Sequence, residues 1–140
     1  MLTTPVHSDS NQINASIFAL LESLPDAAVL IEQNGVILNT NAIFTSKFSK
    51  DTQQCTGANI YDLIANTLQL PELAAHLREK SEEVLRSAKR AVFEDKREIW
   101  RFTINPVLSP EREITRLFVT IQDISEQKHL EHELTKRTLA

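Results

Sequence analysis

The chain has 140 residues, 41% of them hydrophobic and 24% charged, which is the balance of one soluble globular domain. A formal net charge of −4 argues against nucleic acid as a partner. A single cysteine, Cys55, excludes an intrachain disulfide and a cysteine-based metal cluster. No run of about 18 apolar residues is present to span a membrane, and the N-terminus lacks a signal-peptide pattern. These features predict a reducing, cytoplasmic setting with no membrane contact within the chain.

Residues 1–12 are polar and aperiodic and are expected to form a flexible tail. Ile13, Ile17, Leu20, Leu21 and Leu24 then recur at helical spacing, predicting a short amphipathic helix that stops before Pro25. Such a stripe must bury against the domain's own sheet or a second copy of the chain. Together with Phe118 on a later strand, these five residues are the expected dimer interface. Ala27–Ile31 and Val36–Leu38 are short apolar runs. The Asn34-Gly35 pair between them tolerates positive φ at two positions and predicts a type I′ hairpin.

Several short helices are expected over residues 40–70, one marked by Ala42, Ile43, Phe44 and Phe48, another by Ile60–Ile64, with Gly57 between them. Pro71 opens a long helix at a position where its missing N–H costs nothing. The helix is expected to run to about Lys89, with Leu73, Leu77, Val84 and Ala88 as its apolar stripe and its many charges on a solvated face. The period then changes to two. Ala91–Glu94 is a short strand and Asp95-Lys96 a turn. Trp100, Phe102 and Ile104 share one face of a strand over Arg97–Asn105. Pro106, Ser109 and Pro110 mark a loop. Leu117, Val119 and Ile121 share one face of a strand over Glu113–Asp123. A charged helix begins near Ser125, which is suited to cap it, and reaches the last residue with no stop signal, as in a chain cut inside a longer protein. The order predicts an α+β domain, a five-stranded antiparallel sheet with helices on one face.

Motifs for catalysis are missing: there is no G-x-S-x-G elbow, no H-E-x-x-H pair and no phosphate loop. His129 and His132 stand three apart on the last helix, but nothing apolar shields them, so no metal site is expected. Phe44, Phe48, Tyr61, Ile64, Leu77, Trp100 and Ile104 are placed to lie between helices and sheet. Their composition suits either a small-molecule pocket or a plain core.

Three segments carry a family resemblance. LESLPDAAVLIEQNGVILNTNAIF holds a helix, Pro25-Asp26, a hairpin with Gly35, and Asn41-Ala42. TGANIYDLI holds Gly57, Asp62 and Leu63. VTIQDISEQKHLEHEL holds Asp123-Ile124-Ser125 at the start of a helix. In this order they resemble the PAS domain family over about residues 13–134. The resemblance implies a PAS-like sensor domain over 13–124, with residues 125–140 starting a signalling helix. It implies a homodimer that passes a signal through Asp123, Ile124 and Ser125 to a C-terminal output domain absent from this chain, and no enzymatic activity within it. Glu133-Leu134 and Leu139-Ala140 are similar to the run-in of GGDEF diguanylate cyclases, which favours that output over a histidine kinase. Light-sensing relatives carry Gly-x-Asn-Cys; here the segment is Gly57-Ala58-Asn59-Ile60, so no flavin is expected. Haem-binding relatives place a histidine on the long helix. His76 lies about 100° from the centre of the apolar stripe, so no haem is expected either, and no cofactor is implied beyond an unspecified small ligand. The alternative is a small α+β enzyme or ligand carrier using the same apolar pocket.

Overall fold

Residues 15–17, 19–48 and 55–139 are described by a computed structural model. Ile13 and the expected tail lie outside the described residues. Helix α1 covers 15–17 and 19–23 and ends ahead of Pro25. Strands β1 (Ala27–Glu32) and β2 (Ile37–Thr40) follow, then α2 (Ala42–Phe48), the single turn α3 (Ile60–Asp62) running on into a π-helical turn (Leu63–Thr67), and α4 (Pro71–Ser87). Strands β3 (Ala91–Glu94), β4 (Trp100–Leu108) and β5 (Ile114–Asp123) lead into α5 (Ser125–Leu139). The sheet order is β2-β1-β5-β4-β3, antiparallel at every pair. The first and last strands are therefore central neighbours, and β2 and β3 are the edges.

Alternation fixes the core face. Val29 and Ile31 on β1, Phe102 and Ile104 on β4, and Leu117, Val119 and Ile121 on β5 join Phe44, Phe48, Ile60, Ile64, Leu77 and Val84 from the helical side in one cluster. Ala28 and Leu30, which point the other way, are buried as well. That explains why β1 reads as an unbroken apolar run rather than as an alternating strand.

Three local expectations are corrected. The first hairpin is not type I′. The Gly35 N–H donates to the Glu32 carbonyl and the Glu32 N–H to Val36, both at 2.9 Å, and positive φ falls on Gly35 alone (φ 93). This is a type I turn over Gln33-Asn34 closed by a left-handed glycine. Pro106 is not in a loop but within β4, opposite Leu117. Edge strand β3 stops opposite Ile104, so beyond that point β4 is itself an edge, where proline is tolerated. Ala88 leaves the stripe of α4: it is the left-handed C-cap (φ 58), its N–H donating to Val84. Ser81 stands in the stripe instead.

Two expected outcomes follow. A Cβ at Gly35 would lie 2.5 Å from Tyr61 Cε2 and 2.8 Å from Cδ2, on a backbone that L-residues avoid. Gly35→Ala should therefore lower stability by about 2–3 kcal/mol in denaturant titration; an unchanged midpoint would contradict this packing. Among the described residues Ser81 Oγ is buried with no hydrogen bond of good geometry, its approach to the Tyr61 hydroxyl included. Ser81→Ala removes a desolvated hydroxyl at little loss of volume and should leave stability unchanged or raise it by up to about 1 kcal/mol. A clear loss in the same titration would show that the hydroxyl is satisfied.

Candidate functional site

Of the seven residues expected at a pocket, six are buried and Trp100 is half-buried, and they pack on one another. Phe44 stacks on Phe48 at 4.6 Å between centroids, and Phe48 meets Trp100 at 4.9 Å. Tyr61 fills the space above Gly35, with the Arg78 guanidinium 4.7 Å over its ring. Burial raises the pKa of its phenol, opposed by the Ser81 hydroxyl and Arg78. None of these seven residues lines the open groove of about 680 Å³ between the first half of α4 and the β3–β4 turn. That groove is lined instead by Leu70, Leu73, His76 and several charged residues. His76, the candidate haem ligand of the sequence, stacks on Phe93 at 4.3 Å.

The dimer-interface residues do not form one exposed stripe. Leu21 is 4% exposed and Leu20 67%, while Ile17, Leu24 and Phe118 are half-buried. Leu21 is held within its own chain through Asn41, a buried side chain that the sequence marked only by resemblance. Asn41 Oδ1 accepts the N–H groups of Ala28 and Phe44, and Nδ2 donates to the carbonyls of Leu21 and Asp26. Four hydrogen bonds from one side chain thus tie α1, β1 and α2 together. Asn59 does similar work nearby: Oδ1 caps α3 through the Tyr61 N–H, and Nδ2 reaches the Asn34 carbonyl in the first hairpin.

The exit from β5 is built from polar contacts around one buried residue. Ile124 is buried; its N–H donates to Ile99 at 2.8 Å and its carbonyl accepts from Lys128 at 2.9 Å. Asp123 Oδ1 accepts both the backbone N–H and the hydroxyl of Ser125, at 3.0 and 2.6 Å. The cap is therefore Asp123, and Ser125 donates to it rather than accepting from the helix as expected. Those Ser125 bonds, more than Lys47 at 3.5 Å, hold the Asp123 carboxyl below the usual aspartate range.

Further along, α5 lies against the β3–β4 hairpin. Lys128 Nζ is 3.0 Å from Glu94 Oε1, Arg101 is 2.8 Å from Glu94 Oε2, and His132 Nε2 is 2.9 Å from Glu98 Oε2. Glu94 is held below the ordinary glutamate range by Arg101 first and Lys128 second, and Lys128 is raised by Glu94. The hairpin turn is itself pinned by Asp95, whose side chain is 3% exposed. Its oxygens accept the Ile99 N–H and the Arg97 guanidinium at 2.9 and 2.7 Å. His132 is thus a contact of the hairpin, and no group of three metal-ligating side chains occurs among the described residues. None of the described helices is long and apolar enough to cross a membrane.

A five-stranded antiparallel sheet with its intervening helices on one face and a helix leaving the last strand defines an α+β sensory fold. The family model of the PAS fold matches residues 21–129, and the chain belongs to that family of sensory domains of signalling proteins. Solved structures agree. The chain is similar to a sensory box sensor histidine kinase from Vibrio cholerae (TM-score 0.58, 20% identity, covering 87% of this chain and 97% of that one). It is similar to the PAS domain of Bordetella pertussis BvgS (TM-score 0.64, 16% identity, 91% and 97%). It also resembles the phage VqmA–DPO complex (TM-score 0.70, 13% identity, 96% of this chain), of which it spans 63%. At these identities the likeness is one of fold. No curated protein matches the chain.

Proposed function

We propose that this domain is the sensory and dimerisation module of a bacterial signalling protein, working as a homodimer in the cytoplasm and passing its signal through α5 to a C-terminal output domain. The observation that carries the reading is the exit: α5 starts at buried Ile124, is capped by Asp123, and is held to the β3–β4 hairpin by Lys128 and His132. A change in the sheet reaches the helix directly through these contacts. Leu130 and Leu134 are exposed, one helical turn apart, and they present a short seam that a second α5 covers in the dimer. The module performs no turnover itself and needs neither haem nor flavin. A GGDEF diguanylate cyclase is favoured over a histidine kinase as output by the Glu133-Leu134 and Leu139-Ala140 pattern.

Sedimentation equilibrium tests the dimer. The wild-type protein should be dimeric at micromolar concentration, and Leu130→Glu with Leu134→Glu should raise the dissociation constant at least about tenfold, because two carboxylates would enter an apolar seam. A monomeric wild type, or a dimer indifferent to both changes, would contradict it.

A further inference from the structure

The groove between α4 and the β3–β4 turn has walls of opposite charge. Glu72 and Glu79 stand on the α4 wall; Asp95, Lys96 and Arg97 stand on the turn, where Asp95 neutralises Arg97 and Lys96 supplies the net positive charge. Among the described residues, Glu72, Glu79 and Lys96 make no ion pair, and Arg97 is bound to Asp95 and lies 4.8 Å over the Trp100 ring. Leu70, Leu73 and His76 supply an apolar floor between the walls, and His76 is backed by its contact with Phe93. Unpaired carboxylates facing an unpaired ammonium group across an apolar floor suit a ligand that carries both charges on an apolar body. A ligand with one charge satisfies one wall and leaves the other unanswered.

We propose that this groove binds a small zwitterion with an apolar side chain, of the chemical class of an amino acid. Its ammonium group pairs with Glu79, while Glu72, two helical turns away on the same wall, adds to the negative charge there; its carboxylate pairs with Lys96 beside Arg97. The proposal deepens the sensory reading and rests on it for its consequence. The turn that would take the carboxylate lies between Glu94 and Glu98, the two residues that hold α5 through Lys128 and His132. Occupancy of the groove therefore bears on the piece of sheet that anchors the signalling helix.

Three probes share one phenylethyl body and differ in which charged groups it carries: L-phenylalanine, 3-phenylpropanoate and 2-phenylethylamine. Amide NMR titration of the purified protein should show saturable shifts with L-phenylalanine, largest at residues 69–79 and 95–97, with smaller ones at residues 94, 98 and in α5. Each singly charged probe should bind at least about tenfold more weakly. Lys96→Glu should weaken L-phenylalanine at least about tenfold and leave 2-phenylethylamine unharmed; Glu79→Lys should weaken L-phenylalanine and favour 3-phenylpropanoate. Both positions are exposed, so both variants should fold, and wild-type amide spectra away from the groove check this. Ala75→Trp, on an exposed position of the groove wall, should obstruct all three probes. Absence of saturable shifts with L-phenylalanine, largest shifts away from the groove, or three probes within about twofold of one another would overturn the proposal. Such a failure would leave the signalling role of α5 standing, because that role is read from output activity and not from binding.

Discussion

Asn41→Ala is expected to lower the stability of the domain by about 3 kcal/mol and its melting temperature by about 10 °C. The side chain is buried and every polar atom on it is used. Loss of the helix cap to Phe44 accounts for about 1 kcal/mol. The remainder comes from the Ala28 N–H and the Leu21 and Asp26 carbonyls, which lose a partner in a region water reaches poorly. The effect should extend beyond α2: amide exchange should speed up in α1 and at the start of β1 as well, because Asn41 is what joins them. A drop of less than about 1 kcal/mol, or exchange confined to α2, would show that the bonds to Leu21 and Asp26 are incidental.

Asp123→Ala is expected to do the reverse, with a small effect on stability and a large one on signalling. The cap is worth about 1 kcal/mol, while Ile124 stays buried and bonded to Ile99 through its backbone. Releasing the first turn of α5 should raise or lower output several-fold in a protein that carries an output domain, since a junction held by few polar contacts can adopt two arrangements. The pH dependence has a definite sign. Asp123 and Glu94 are both depressed in the folded state. Their contribution is fully present above the ordinary carboxylate range near pH 4 and is lost as pH falls through their lowered values. Lys128 is raised, so its part is present below the ordinary lysine value and is lost only as pH rises through the raised one. The α5 contacts should thus hold unchanged from about pH 5 to 9 as far as these three groups decide it, and amide protection factors in α5, which are corrected for the base-catalysed intrinsic rate, should fall on their account only in acid or strong alkali. Protection factors in Asp123→Ala equal to those in wild type at every pH would remove Asp123 from the cap.

Much of the fold was legible because the signals were local. Pro71 at the start of α4, and the alternation of Phe102 and Ile104 or of Leu117, Val119 and Ile121, each answer to one rule. The turns were less legible. The loops at Asp95–Glu98 and Ser109–Arg112 close with the same N–H to carbonyl bond as the first hairpin. They place Glu98 and Arg112, not glycine, at positive φ, so no residue type announces them. Ser81 was missed because a polar residue does not register in an apolar stripe. The groove was missed because Glu72, Glu79 and Lys96 look like any solvated charges until the hairpin is laid beside α4. The contacts of α5 were hidden for the same reason: Glu94 with Lys128 and Glu98 with His132 are each 34 residues apart, and only the antiparallel return of β4 and β5 brings them together.

The central claim is that α5 carries the signal out of the sheet. It is tested most directly by measuring, in a polypeptide that joins this domain to an output domain, output rate and melting temperature together for Asp123→Ala and Lys128→Glu. Lys128→Glu sets like charges against Glu94 at a solvated surface and should leave folding nearly untouched. Both variants should melt within a few degrees of wild type, while output changes several-fold. Wild-type output in both variants, or output that falls only in step with lost stability, would contradict it.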